Sequence, residues 1–302
     1  MNKIILYFKV ILLYLSRKIV SAEDIGQSYD RVSSGYEKYF LETMHSYNDE
    51  LLGALTEHFE KSKTLAREAK DLKILDLAAG TGYNSRKLSE IFPKANFTLV
   101  DISPAMLKEA KKNWGEGPSP NFVIEDMLTF LKNTASETYD IIVCAWALKY
   151  QTPKKIIKHI KRVLKPNGFL GVIINRKNTL PQIAKIYPKL LAKHPQKINK
   201  LMLPLPNPKN LKAFDSWFTK ESFSKIISKE GTHHFHFQTS RELVEFVTST
   251  GALAGFDIML DLRDPEVKSD LQHLLEKNRC SSVHHKFLYG VYKKQQRNKL
   301  YE

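Results

Sequence analysis

Residues 74–77, Ile-Leu-Asp-Leu, form an apolar run with one carboxylate, followed at once by small residues, Ala78-Ala79-Gly80-Thr81-Gly82. The run predicts a buried strand, and the pattern over residues 83–92 predicts a helix behind the turn. The same alternation recurs down the chain. Residues 97–100 end at Asp101, after which Ser103 and Pro104 open a helix with Met106, Leu107, Ala110 and Trp114 on one face. Residues 121–124 read as a strand ending in Glu125-Asp126, and residues 139–145 as another. Next, Ile156, Ile157, Ile160, Val163 and Leu164 make an apolar stripe, with Lys154, Lys155, Lys158, Lys161 and Arg162 on the outer face. Lys165-Pro166-Asn167-Gly168 reads as a turn before a fifth strand at 169–174. Strands separated by amphipathic helices predict right-handed βαβ units and a parallel sheet covered on both faces.

Flanking segments depart from that alternation. Residues 23–72 read as a helical preface, in which Asn48 or Asp49 caps a helix with Leu51, Leu52, Leu55 and Phe59 on one side. The Lys- and Glu-rich stretch 61–71 reads as a solvated helix end or linker. Residues 175–238, rich in Pro and Lys, are too long for a simple loop and are expected to form a helical insertion over the site. Thr239 and Glu242 make a capping box ahead of Leu243, Val244, Phe246 and Val247. Two closing strands are expected at 256–262 and 286–292, paired like a hairpin at the sheet's far edge. The resulting division is 1–22, 23–72, a core at 73–174, the insertion 175–238, and a tail 239–302 that completes the sheet.

Composition changes the picture in two places. The chain of 302 residues carries a net charge of +15, mostly from lysine, which favours acidic partners such as nucleic acid, anionic lipid or an acidic carrier protein. Scarce arginine weakens the nucleic-acid alternative, since base edges and phosphates are read bidentately by Arg. Within residues 1–22, the apolar run 4–15 is interrupted by Lys9 and is too short to span a bilayer. Val20-Ser21-Ala22 resembles a cleavage site, but Arg17 and Lys18 before it are atypical of a signal peptide. The alternatives are a helix on a membrane surface or one docked on a partner or on its own domain. Two distant cysteines, Cys144 and Cys280, form neither a disulfide framework nor a CxxC site, which suits a reducing, cytoplasmic setting, peripheral at a membrane if residues 1–22 bind one.

In an open parallel sheet, ligands bind outside the carboxyl ends of the strands. Asp76, Asp101 and Asp126 end or follow three consecutive strands, at equal separations (101 − 76 = 25; 126 − 101 = 25). A carboxylate at Asp101 suits the vicinal hydroxyls of a ribose, although helix capping is the plainer role for Asp101 or Asp126. A dinucleotide fingerprint needs a third glycine where Ser85 stands, and no P-loop lysine follows.

The stretch Asp76-x-Ala78-x-Gly80-x-Gly82 instead resembles motif I of class I S-adenosylmethionine-dependent methyltransferases, D-x-G-x-G-x-G, with Ala78 in place of the first glycine. LVDISPAMLKEAKK, VIEDM, YDIIVCAWALKY and VLKPNGFLGVII resemble the family's later strands and turns, so the likeness covers residues 73–174. IGQSYDRVSSGYEKY resembles the lead-in of the family's small-molecule branch. The resemblance implies a doubly wound, mostly parallel seven-stranded α/β sheet (Rossmann-like methyltransferase fold) with S-adenosylmethionine as cofactor. It assigns Gly80 and Gly82, with Ala78 and Ala79, to the cofactor's methionine and ribose, and Asp76 to the ammonium. It further assigns Asp101 to the ribose hydroxyls, Ile102 and Met127 to the adenine faces, and Asp126 to the adenine amino group. Ala145 offers a carbonyl near the sulfonium, and Tyr29 and Tyr36 are lid candidates or plain packing aromatics.

Methyl transfer is an in-line displacement, so catalysis is mainly positioning, and a base is needed only for a protonated acceptor. The weak candidates are Lys149 and Tyr150 after the fourth strand and His233, His234 and His236 in the insertion, with no metal site expected. Cys144 lies inside an apolar strand and does not read as a nucleophile. The leading expectation is methyl transfer to an O, N or C atom of a small or carrier-bound molecule. The alternatives are an RNA methyltransferase and a non-catalytic cofactor-binding scaffold at a membrane surface. Asp101→Ala is expected to abolish binding and leave the fold intact, because the position reads as an exposed carboxylate.

Overall fold

The computed structural model describes residues 2–36, 42–62, 71–115 and 118–296. Its strands are β1 (Lys73–Leu77), β2 (Asn96–Asp101), β3 (Asn121–Ile124), β4 (Tyr139–Ala145), β5 (Leu164–Asn175), β6 (Phe223–His236) and β7 (Ser282–Lys294). The helices up to β5 are α1 (Asn2–Leu15), α2 (Ala22–Tyr36), α3 (Glu42–Ser62), α4 (Tyr83–Ile91), α5 (Pro104–Asn113), α6 (Met127–Asn133) and α7 (Pro153–Val163). After it come α8 (Pro181–Lys193), α9 (Leu211–Thr219), α10 (Ser240–Ser249), α11 (Phe256–Met259) and α12 (Pro265–Lys277). The seven strands form one sheet in the order β3-β2-β1-β4-β5-β7-β6. Pairing is parallel from β3 through β5, and β7 runs antiparallel to β5. Strand order reverses between β1 and β4, the place where this architecture opens a ligand crevice.

The chain divides into two compact units. One contains Glu42–Lys177, Pro206–Gly231 and the part of β7 from Phe287 onward. Its central strands β1, β2, β4 and β5 are largely apolar on both faces because both are covered. Ile74, Leu99, Ile141, Val143, Phe169 and Ile173 pack with Leu51, Leu55 and Phe59 of α3 and Leu88 of α4. Residues of opposite parity, Leu75, Leu77, Ile142, Leu170 and Val172, pack with α7 and α9 through Ile156, Ile160, Phe214 and Phe218. Ser103 caps α5 by accepting from the Met106 N–H at 3.1 Å, as its sequence predicts.

The other unit contains the described parts of Met1–Leu41, with Asn178–Leu205 and Thr232–Lys286. It is built from α1, α2, α8, α10, α11 and α12 together with the remaining portions of β6 and β7. Helix α8 packs on α1 and α12, and α10 packs on α2 and α12. Lys200 pairs with Asp24 at 2.6 Å, and the Ser28 hydroxyl donates to Asp257 at 2.6 Å.

Four elements differ from expectation. The seventh strand of the sheet comes from residues 223–236, inside the stretch read as a helical insertion, which also supplies α8 and α9. Residues 256–259 form a helical turn, not a strand. Helix α3 runs unbroken through Asn48, which caps nothing. The 165–168 turn is a bulge within β5, where Asn167 takes φ +61° and the register to β4 shifts. Residues 37–41 of the lead-in and 63–70 of the linker lie outside the described residues.

Candidate active site

Side chains alternate along β1, so Asp76 shares the Ile74 side, toward α3 and α4. There it is fully buried, and Ser85 in the first turn of α4 donates its hydroxyl to Oδ2 at 2.8 Å. Oδ1 has no hydrogen-bond partner. Burial dominates over the Ser85 hydrogen bonds and pushes the carboxyl up to about 7.

Beyond Asp76 the backbone enters the left-handed region three times, at Ala78 (φ +61°), Gly80 (φ +54°) and Gly82 (φ +79°). Ala78 is therefore strained as well as small, since an L side chain there costs roughly 1–2 kcal/mol. The turn is held by the Ala79 N–H, which donates to the Val100 carbonyl at 2.9 Å. A Cβ on Gly82 would lie 3.1 Å from Ala110 Cβ and 3.3 Å from Leu99 Cδ2, so packing demands glycine there. A Cβ on Gly80 would meet nothing within 4 Å. That open side would let a ligand approach the main chain.

Two further polar atoms border the turn without partners. Asn84 is buried in the first turn of α4 with Oδ1 unbonded. His45 stacks on Tyr83 at 3.4 Å between ring centres, and its Nε2 is buried and unbonded. Burial pushes that imidazole down to about 4, so it is neutral near pH 7.

Asp101 ends β2 and is 8% exposed, not the exposed carboxylate its sequence position suggests. Oδ2 accepts from the Gly80 N–H and Oδ1 from the Ser103 N–H, both at 2.8 Å. It ties the glycine turn to the start of α5, which corrects the expectation that its removal leaves the fold intact. Ile102 beside it is half-buried. Asp126 caps α6: its Oδ1 accepts from the N–H groups of Leu128 and Thr129 and from Gln151 Nε2 at 2.9 Å. Burial would raise its pKa, but the hydrogen bonds from Thr129 and Gln151 hold it below the ordinary carboxylate value. Met127 follows it, buried.

At the carboxyl end of β4, Ala145 precedes Trp146, whose φ is +63°. The indole N–H donates to Asn48 Oδ1 at 2.9 Å and the main-chain N–H to the Ile173 carbonyl at 2.7 Å. Lys149 is buried, and its Nζ donates to the Trp146 carbonyl at 2.7 Å and to Asn175 Oδ1 at 3.3 Å. With neutral partners, burial lowers its pKa to about 7, which weakens the positive charge that would oppose a cation nearby. Tyr150 lies beside it, its ring centre 4.6 Å from Nζ. Burial pushes the Cys144 thiol up to about 12, so it is not a nucleophile at neutral pH.

Tyr29, Tyr36, His233, His234 and His236 belong to the other unit. Tyr29 and Tyr36 pack edge to face at 6.0 Å, with Tyr29 also against Gly251. His234 lies 4.3 Å from the His284 ring. Among the described residues, no group of three or more His, Cys, Asp or Glu side chains is arranged to hold a metal ion. Sequence reasoning missed Ser85, Asn84, His45, Asn48, Gln151 and Asn175. Only Ser85 and Asn84 carried a signal, as polar residues directly behind the glycine turn.

The donor set fits a nucleoside ligand bearing an ammonium group. Unmet acceptors at Asp76 and Asn84 suit the cation, and the Gly80 side is open. Residues 74–168 match the family model described as a methyltransferase domain. A malonyl-[acyl-carrier protein] O-methyltransferase of Halalkalibacterium halodurans is 30% identical over 44% of this chain and 52% of its own length. A demethylmenaquinone methyltransferase of Chlamydia pneumoniae is 30% identical over 50% of this chain and 60% of its own. The matched region thus spans little more than half the length of these relatives. A solved protein of Bacillus halodurans shares the fold with a TM-score of 0.52 at 14% identity, covering 80% of this chain and 98% of that one. The glycine turn and the buried carboxylates lie within residues 74–168, the stretch that matches a methyltransferase domain and over which this chain is similar to known methyltransferases.

Proposed function

We propose that the protein transfers a methyl group from S-adenosylmethionine to a small or carrier-bound acceptor. The observation that carries this reading is the fully buried Asp76 with an unbonded Oδ1, beside a turn whose Gly80 side is open. In this reading Asp76 and Asn84 hold the ammonium, and the main chain at Gly80 and Gly82 allows close approach. Asp101 takes the ribose hydroxyls while keeping its bonds to Gly80 and Ser103. Ile102 and Met127 flank the adenine, and Asp126 offers its second oxygen to the amino group. When bound, the cofactor supplies an electrophilic methyl on a sulfonium.

What the chain contributes is orientation and exclusion of water. Ala145 would offer its carbonyl to the sulfonium, and the left-handed Trp146 is pinned between Asn48 and Ile173. Lys149 Nζ then holds the Trp146 carbonyl and can hold or release a proton near neutral pH. Support for the acceptor class comes from the relatives, one acting on a malonyl group on acyl carrier protein and one on demethylmenaquinone. The test is calorimetry with S-adenosylmethionine and with NAD, then incubation of cell extracts with labelled cofactor. Binding of the first alone, and label in a small-molecule or carrier-bound pool, is expected. Tight NAD binding, or label appearing only in RNA, overturns the reading.

A further inference from the structure

We propose that α1 is a surface anchor that lies flat on an anionic lipid bilayer. Eight of the ten exposed large hydrophobic side chains among the described residues lie in this one helix, 39% to 73% exposed. With about 100° between successive residues, they fill roughly half the circumference. Ile4, Phe8, Ile11 and Leu15 form the centre line, and Tyr7 and Tyr14 form one margin. The opposite side is what holds the helix in its unit: Leu13 is buried and α1 packs on α8. The chain beyond is fixed by the Leu201 N–H, which donates to the Lys18 carbonyl, and the Val20 N–H, which donates to Leu201. The outward half of the helix is thus the apolar half, the reverse of a helix designed to face water.

Length and charge select the occupant. Fourteen residues rise about 21 Å, short of the roughly 30 Å hydrocarbon core, so the helix lies on a bilayer instead of crossing it. No helix among the described residues is long and apolar enough to cross a membrane. Tyrosines on the margin suit the headgroup level, where one end of the ring is wet. Lys9, Arg17 and Lys18 flank the apolar face, and no acidic residue occurs before Glu23. Two copies packed through this face would set these cations against each other uncompensated. Anionic headgroups neutralise them.

The inference stands apart from the methyl-transfer reading, and its test needs no cofactor. The full chain is sedimented with vesicles of phosphatidylcholine alone and with phosphatidylglycerol added. Partitioning to the anionic vesicles is expected to be tighter by about tenfold or more, because three cations meet the surface. The double variant Phe8→Gln, Ile11→Gln is expected to lose about tenfold or more of that partitioning while its melting temperature and cofactor binding stay unchanged, both side chains being exposed. Absence of vesicle binding by the native chain, equal binding to both vesicle types, or undiminished binding by the variant each overturns the proposal. So does a dimer, seen by analytical ultracentrifugation, that the variant abolishes in the absence of vesicle binding.

Discussion

Asp76→Asn should raise stability and lower cofactor affinity at the same time, with a stability effect that changes sign with pH. The native carboxyl is pushed up to about 7 by complete burial, from 3.8 in the unfolded chain. A carboxyl raised in this way is without penalty below about pH 4, where it is protonated in both states. Stability then falls as pH rises toward 7, and above it the buried charge costs on the order of 4 kcal/mol. Asparagine has the same shape and can keep the Ser85 hydroxyl as partner, but it leaves a buried amide group unbonded where Oδ1 is now, at about 1–3 kcal/mol. The balance at pH 8 favours the variant by about 1–3 kcal/mol, or a few degrees in melting temperature at about 2–4 °C per kcal/mol. At pH 4 the native chain is equal or better. Cofactor affinity moves the other way, because the ammonium loses a buried counter-charge, and a fall of at least about 30-fold is expected. Urea melts from pH 4 to 9 and calorimetry at pH 8 read the two quantities. A pH-independent stability difference, or unchanged affinity, refutes the reasoning.

Four further outcomes follow from the same geometry. Native S-adenosylmethionine affinity should weaken by up to tenfold per pH unit as pH falls below about 7, with proton release visible as buffer-dependent heats, since binding must ionise Asp76. Gly80→Ala should cost only about 1–2 kcal/mol of backbone strain yet abolish binding, while Gly82→Ala should destabilise by about 2–4 kcal/mol through strain plus contact with Ala110 and Leu99; thermal melts and binding isotherms of the pair must diverge in that way. Asp101→Ala should lose about 2–5 kcal/mol along with binding, by stranding the N–H groups of Gly80 and Ser103, and a melt within about 0.5 kcal/mol of native would contradict this role. Ala78→Gly should range from neutral to about 1 kcal/mol stabilising, strain relief at φ +61° being offset by unfolded-chain entropy, and a loss beyond about 1 kcal/mol would show the strain argument to be wrong.

Elements buried on both faces were legible in the sequence, because only single polar residues such as Asp76 and Thr98 interrupt their apolar runs. That covers β1, β2, β4 and the core of β5, with the turn and the carboxylates positioned by them. Strand β6 was not legible. Its residues alternate between half-buried and exposed and include Lys225, Lys229 and Glu230, so its pattern reads as polar chain. Residues 256–262 misled in the opposite sense, since a short apolar run fits a helical turn as well as a strand. Site residues divided the same way. Asp76 and the glycines were readable from local sequence, but the burial of Asp101 arises from bonds to Gly80 and Ser103. Asn48 meets Trp146 across 98 positions, a pairing no local pattern encodes.

The unit containing α1 and α2 is assembled from three stretches, the last of which ends at Lys286. During synthesis its first two helices emerge long before α8, α10 and α12, against which they pack. At about 5–20 residues per second, the intervening 245 residues (286 − 41) take roughly 12–50 s to be made. For that interval Leu13, buried in the finished fold, is uncovered along with the outward face of α1. The nascent chain therefore presents a helix apolar on both its outward and its Leu13 sides before its unit can close, and ribosome-bound chaperones would have their longest access to it then.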